Sequence, residues 1–272
     1  MKDEMNSQHN DQFSESAEQN IQTENHLTLA GSPHPSALKI LLWDIDGTLL
    51  RSTIQGGYKK YFTATMRKVF GSAGNLDDLT PSGMTDTQIM FEALRGENFT
   101  PARIFERKAE LLEIFKAEMT RVLAEDGEPF EILPGVREIL TAAARSPHFV
   151  NALLTGNLSV AAKIKLEAIG LWHFFEHAPN AFGEISHNRS DLAIEAGKLF
   201  NAAYDFEFSP SQFIVIGDTP NDILCARTFG AKVVAVATGR GESRETLLEN
   251  APDFLLDDLS QTAEVLQMLE NL

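Results

Sequence analysis

Four near-continuous apolar runs constrain the fold of this chain more than any other feature. They fall at residues 39–43, 149–154, 212–216 and 232–237, with weaker runs at 179–182 and 253–256. Helix-period segments lie between them, at 135–145, 159–169, 190–203, 220–229 and 260–269. Runs of Val, Ile and Leu without polar alternation suit strands covered on both faces. Their alternation with helices predicts βαβ units, hence an α/β class with a mainly parallel sheet and helices on both faces.

One stretch breaks the alternation. Between about residues 51 and 133 no strand is expected, only helical segments at 58–70, 85–94 and 101–124. Thr100 followed by Pro101 combines a capping residue with proline at the first turn. Pro134-Gly135 marks the return to the alternating pattern. A helical domain at 51–132 is therefore expected to interrupt a core formed by 37–50 and 133–272. Residues 1–36 are rich in Asn, Gln, Ser and Glu and show no sustained apolar period, which predicts a flexible tail.

Charge narrows the partners. With 39 acidic and 23 basic residues the formal net charge is −16, so nucleic-acid backbones and anionic membrane surfaces would be repelled. Neither is expected as a partner, and an anionic substrate would need local cations at its site. Cys225 is the single cysteine, which rules out an intrachain disulfide and a cysteine-based zinc site. No apolar run approaches the roughly 18 residues a membrane span needs, and the N-terminus lacks a secretory pattern. A cytoplasmic location is expected.

In open parallel sheets, ligands bind beyond the carboxyl ends of the strands, and three motifs stand there. Asp44-Ile45-Asp46-Gly47-Thr48-Leu49 follows the first apolar run. Carboxylates two residues apart on a strand point the same way, and Gly47 permits a sharp turn. One carboxylate can attack phosphorus while the other exchanges protons with the leaving oxygen and with water. The plain alternative is an acidic turn after a strand. Thr155-Gly156-Asn157 ends the second run, and a helix opening near Ser159 would aim free backbone N–H groups at an anion. Asp218 and Asp222 flank Thr219-Pro220, a good helix start, after the third run. Four carboxylates gathered in one crevice would require a cation, and hard oxygen ligands without cysteine favour Mg²⁺ over Zn²⁺.

Together these stretches resemble, in order, motifs of the haloacid dehalogenase-like hydrolase superfamily, and in particular its phosphoglycolate phosphatase-like phosphatases. The resemblance covers about residues 39–272. It implies a Rossmann-like core with an inserted all-helical cap domain after the first motif. It further implies that Asp44 is the nucleophile, that Asp46 is the acid and base, and that Thr155, with Gly156 and Asn157, binds the phosphoryl group. Asp44, the main-chain carbonyl of Asp46 and Asp218 are implied as Mg²⁺ ligands, with Asp222 contributing through water.

The family's remaining motif is a basic residue paired with the nucleophile. Arg189 fits best, lying just before a helix, whereas Lys198 falls deep inside one. Arginine departs from the commoner lysine but keeps the charge and grips phosphate oxygens bidentately. Residues 82–86 are expected to form a loop over the site. Arg51, Lys59 and Arg95 are candidate anion binders, though solvated charges or caps explain them as well. Tyr58, Tyr61, Phe62 and Met66 read as a helix-packing face, and Cys225 as a buried thiol. His173 and His177 read as ordinary packing or surface residues, and residues 238–243 as a loop after a strand.

The expected activity is Mg²⁺-dependent hydrolysis of a small phosphorylated metabolite by a monomer or homodimer, through an aspartyl-phosphate. Alternatives on the same fold are a β-phosphoglucomutase-like phosphomutase and a non-catalytic phosphate- or metal-binding module.

Overall fold

A computed structural model describes residues 33–127 and 130–272. Its centre is a five-stranded sheet in the order β4-β1-β5-β6-β7. The strands are β1 (Lys39–Trp43), β4 (Phe149–Leu153), β5 (Phe213–Gly217), β6 (Lys232–Val236) and β7 (Phe254–Leu256). All four pairings are parallel. β1 is internal, with Trp43 level with Leu153 on one side and with Ile216 on the other.

The two-residue period of a strand divides the core into two layers. Leu41, Trp43, Ile214 and Ile216 face one side, against α5 (Val136–Arg145), α6 (Ser159–Ala168) and α10 (Thr262–Asn271). Ile40, Leu42, Phe213 and Val215 face the other, against α7 (Leu192–Tyr204), α8 (Pro220–Phe229) and α9 (Arg244–Glu249). Every β5 residue is buried, as expected for a strand covered on both faces.

Between β1 and α5 lie α1 (Tyr58–Phe70), α2 (Asp86–Leu94), α3 (Pro101–Phe105) and α4 (Lys108–Asp126). They share a separate apolar cluster around Met66, Met90, Phe115 and Met119, which also takes in Leu158 and Ala161 at the start of α6. Two features of this stretch correct the sequence-based expectation. The helix expected over 101–124 is two helices, broken between Phe105 and Lys108. A strand-free stretch was also expected, yet β2 (Leu50–Ser52) and β3 (Phe130–Ile132) form an antiparallel ribbon at its two ends. Three-residue strands carry too little alternation to stand out in a sequence.

The weak run at 179–182 contributes one bridge, Ala181 to Leu154, and no strand. α9 follows the loop at 238–243 and was not anticipated; Ser243 caps it by accepting from the Thr246 amide at 3.1 Å. Most of the expected tail lies outside the described residues. Its last part is described, with Pro35–Ala37 in a 3-10 turn and Pro35 O accepting from Gln212 Nε2. Among the described residues no helix is long and apolar enough to cross a membrane.

Candidate active site

Three strands deliver their carboxyl ends to one place. The Asp44 amide continues the sheet ladder by donating to Ile216 O at 2.9 Å, which fixes the residue beside β5. The Leu154 amide does the same towards Trp43 O, placing Thr155 on the other side of β1. Gly47 then turns the chain with φ of 86°, and its amide donates to Leu50 O. A Cβ on Gly47 or on Gly239 would overlap Oδ2 of Asp218, so both glycines make room for that carboxylate. Thr48 Oγ1 donates to Asp218 Oδ1 at 3.2 Å.

Asp222 begins α8 in a reciprocal cap. Thr219 Oγ1 accepts from the Asp222 amide, and Asp222 Oδ2 accepts from the Thr219 amide and hydroxyl at 3.0 and 2.6 Å. Its Oδ1 meets Arg189 Nη2, which also lies 3.1 Å from Asp44 Oδ1. Arg189 sits in a 3-10 turn just before α7 and is 5% exposed. Its Nε is buried without a hydrogen-bond partner, while the residue as a whole lines the cavity above the site. Lys198, the competing residue, is exposed and pairs with Glu195.

Asp44, Asp218 and Asp222 each bring a carboxylate oxygen within 4.8 Å of the others, all buried. Burial pushes the Asp44 carboxyl up to about 6 despite Arg189; Asp222 and Asp46 add to the rise. Burial raises Asp218 well above the usual carboxylate range, and its neighbours Asp44 and Asp222 raise it further. Burial alone would lower the Arg189 pKa, but Asp222 and Asp44 outweigh it and hold the guanidinium charged. With every group ionised, three carboxylates against one guanidinium would leave two negative charges in a desolvated pocket, and the raised carboxyl pKa values express that repulsion. That excess, on hard oxygen donors, fits a divalent cation.

Thr155 is fully buried, and its Oγ1 accepts from the Asn157 amide and side chain at 3.3 and 2.9 Å, which leaves its own proton to donate. The same Asn157 side chain donates to Asp46 Oδ2 at 2.8 Å. The start of α6 departs from expectation. The Leu158 amide donates to Asp86 Oδ2 at 2.7 Å and the Ser159 amide to Glu184 Oε2 at 2.9 Å. The chain's own carboxylates thus complement this helix end, and those two amides are not free for a ligand. Burial raises Asp86 to about 7, with Lys165 and the Leu158 amide opposing the rise.

One neighbour of the site carries little sequence signal. Lys165 lies in α6, in a stretch that reads as an ordinary amphipathic helix, yet it is only 6% exposed. Its Nζ is 2.6 Å from Asp46 Oδ2 and 2.6 Å from Asn157 Oδ1. Only its position in the helical period, on the buried side with Ala161 and Ala162, hints at this.

A cavity of about 420 Å³ opens above these groups, bounded by Asp44, Asp46, Lys165, Arg189 and Asp218 on the sheet side and by Tyr61, Phe62 and Phe115 on the helical side. The loop at 82–86 lies over the site as expected. Asn221 Nδ2 donates to Gly83 O at 3.1 Å, and the Asp86 amide donates to Gly156 O at 2.7 Å. Tyr61, Phe62 and Met66 do pack the helical cluster, but Tyr58, Tyr61 and Phe62 also line the cavity. Among the candidate anion binders, Arg51 borders the cavity and pairs with Glu131 at 2.6 Å. Lys59 donates to Asp77 O, and Arg95 pairs with Glu92. Cys225 is buried, its thiol pushed up to about 11 by burial.

The chain is similar to several known proteins. The chain is 25% identical over 228 residues to a phosphoglycolate phosphatase of Agrobacterium fabrum, covering 81% of this chain and 89% of that one. It is 27% identical over 138 residues to a phosphoglycolate phosphatase of Pasteurella multocida, where it spans 58% of the relative's length and half of its own. The fold matches the crystal structure of a hydrolase from Pseudomonas syringae with a TM-score of 0.58 at 20% identity, covering 85% of this chain and 98% of that one. A family model described as HAD-hydrolase-like matches residues 195–262. The model described as haloacid dehalogenase-like hydrolase matches residues 41–227, well over half of the chain and every motif just described. The chain belongs to the haloacid dehalogenase-like hydrolase family.

Proposed function

We propose that this chain is a Mg²⁺-dependent phosphatase that hydrolyses a small phosphomonoester through an aspartyl-phosphate on Asp44. One observation carries the reading: Asp44 stands at the end of the internal strand β1, 3.1 Å from a buried arginine and beside a second buried carboxylate, Asp218. The named activity of the Agrobacterium relative supports the same chemistry.

The carboxylates of Asp44 and Asp218, with the main-chain carbonyl of Asp46, would hold Mg²⁺, which offsets charge on the phosphoryl oxygens when bound. Asp222 acts from behind, since its oxygens hold Arg189 and cap α8. Arg189, which lines the cavity, grips the phosphoryl group, and the Thr155 hydroxyl and the Gly156 backbone complete the cradle. Asp44 attacks phosphorus in line while the bond to the ester oxygen breaks, and Asp46 delivers a proton to that oxygen. Water then attacks the aspartyl-phosphate, giving its proton to Asp46, and inorganic phosphate leaves with Asp44 restored as the carboxylate and Asp46 as the acid. Closure of the helical domain at 51–132 over the core would keep water from the first step.

All of these groups come from a single chain, so the reaction asks for no second copy and suits a monomer or a homodimer. The buried free thiol of Cys225 is in keeping with the reducing cytoplasm. 2-Phosphoglycolate is the first substrate to assay, given the names of the relatives.

The test is turnover of p-nitrophenyl phosphate with Mg²⁺. Asp44→Asn is expected to abolish it, as is removal of the metal with a chelator. A variant that keeps more than about a tenth of the wild-type rate overturns the nucleophile assignment.

A further inference from the structure

Lys165 is a buried cation that the proposed reaction does not yet use. Burying an ammonium is unfavourable unless it is fully hydrogen-bonded, and the neighbouring Lys163 shows the ordinary outcome, exposed and 3.7 Å from Glu167. Lys165 instead turns towards the cavity and places Nζ at 2.6 Å from both Asp46 Oδ2 and Asn157 Oδ1. Asn157 Nδ2 reaches the same Asp46 oxygen at 2.8 Å. Two donors therefore converge on Oδ2, while Oδ1 receives no hydrogen bond among the described residues. The Asp46 side chain is 47% exposed and borders the cavity, so without these donors its rotamer would be free.

We infer that Lys165, braced by Asn157, is a positioning residue that clamps Asp46 by Oδ2 and so presents Oδ1 to the ester oxygen. This rests on the reading of Asp46 as the proton-transfer group. The physical argument is one of preorganisation: an acid on a mobile side chain must be oriented anew at every encounter, whereas a clamped one is already in place. Lys165 does not touch the phosphoryl group in this scheme, and its effect passes through Asp46 alone.

Leaving-group dependence tests the idea. A p-nitrophenolate leaves without protonation, whereas an alkoxide needs the proton from Asp46. Lys165→Met should reduce kcat for an alkyl ester such as β-glycerophosphate by about 100-fold, the scale of general-acid catalysis, with KM nearly unchanged. First-turnover release of p-nitrophenolate should stay near wild type, which also shows that the variant is folded. Lys165→Arg should recover part of the alkyl rate. In an Asp46→Asn background, Lys165→Met should add no further loss. An equal loss with both esters, a rise in KM alone, wild-type alkyl turnover, or additive losses in the double variant would each overturn the inference. If Asp46→Asn itself spares alkyl esters, the reading of Asp46 fails first and separately.

Discussion

Gly47 and Asp218 meet as backbone against carboxylate, in the space where any other residue would carry its Cβ. The turn at Gly47 also has φ of 86°, a conformation that costs an L-residue about 1–2 kcal/mol. Gly47→Ala should therefore displace Asp218 from the carboxylate cluster. We expect kcat to fall at least about tenfold and the Mg²⁺ concentration for half-maximal activity to rise, because the proposed ligand moves and not only the turn. A metal titration of activity checks this; an unchanged half-maximal concentration would show that Asp218 needs no such room.

Arg189 bridges Asp44 and Asp222 with one nitrogen and lines the cavity. Lysine supplies charge at a single point and cannot hold both carboxylates and an oxyanion in the fork geometry. Arg189→Lys should retain measurable turnover with a raised KM, whereas Arg189→Met should lose about 100-fold or more in kcat/KM, the scale reported for lost oxyanion donors. Steady-state kinetics on one substrate separates the two, and equal activity in both variants would remove Arg189 from the site.

Asp86 gives the fold a pH dependence of its own. Burial raises its carboxyl from 3.8 to about 7, so the folded chain keeps a proton that the unfolded chain releases near pH 4. The contribution to stability is complete below pH 4 and is lost as the pH rises through about 7. Its size is on the order of a few kcal/mol. Asp86→Asn retains an acceptor for the Leu158 amide without the titration, so thermal melts should show wild type losing more stability than the variant between pH 5 and pH 8. Parallel curves would place the proton elsewhere.

What the sequence disclosed follows from how strongly each feature is repeated. β1, β5 and β6 were legible because residues such as Ile40–Leu42 and Val233–Val236 have no polar interruption and face packed helices on both sides, and β4 was legible despite Asn151 because its other residues are apolar. Asp44, Asp46 and Asp218 were legible because they sit where those runs stop. Arg189 has no fixed neighbourhood, and its placement depended on being just ahead of a helix. The β2–β3 ribbon was hidden by brevity. Lys165 was hidden because a helix face records which positions are buried, not what a buried ammonium meets across space. The free amides expected at the start of α6 were illegible for the same reason: Asp86 and Glu184, which accept from them, are far away in the chain.

Trp43 is level with Leu153 and with Ile216, and this double alignment governs when chemistry can begin. Asp44, Thr155 and Asp218 belong to segments widely separated along the chain, and all three meet only when β1 has received a neighbour on each flank. The loop-closure entropy for such distant pairings must be met before any of the site exists. A sheet with only one flank of β1 in place therefore lacks part of the site, and the first turnover during refolding dates the moment when both flanks are filled.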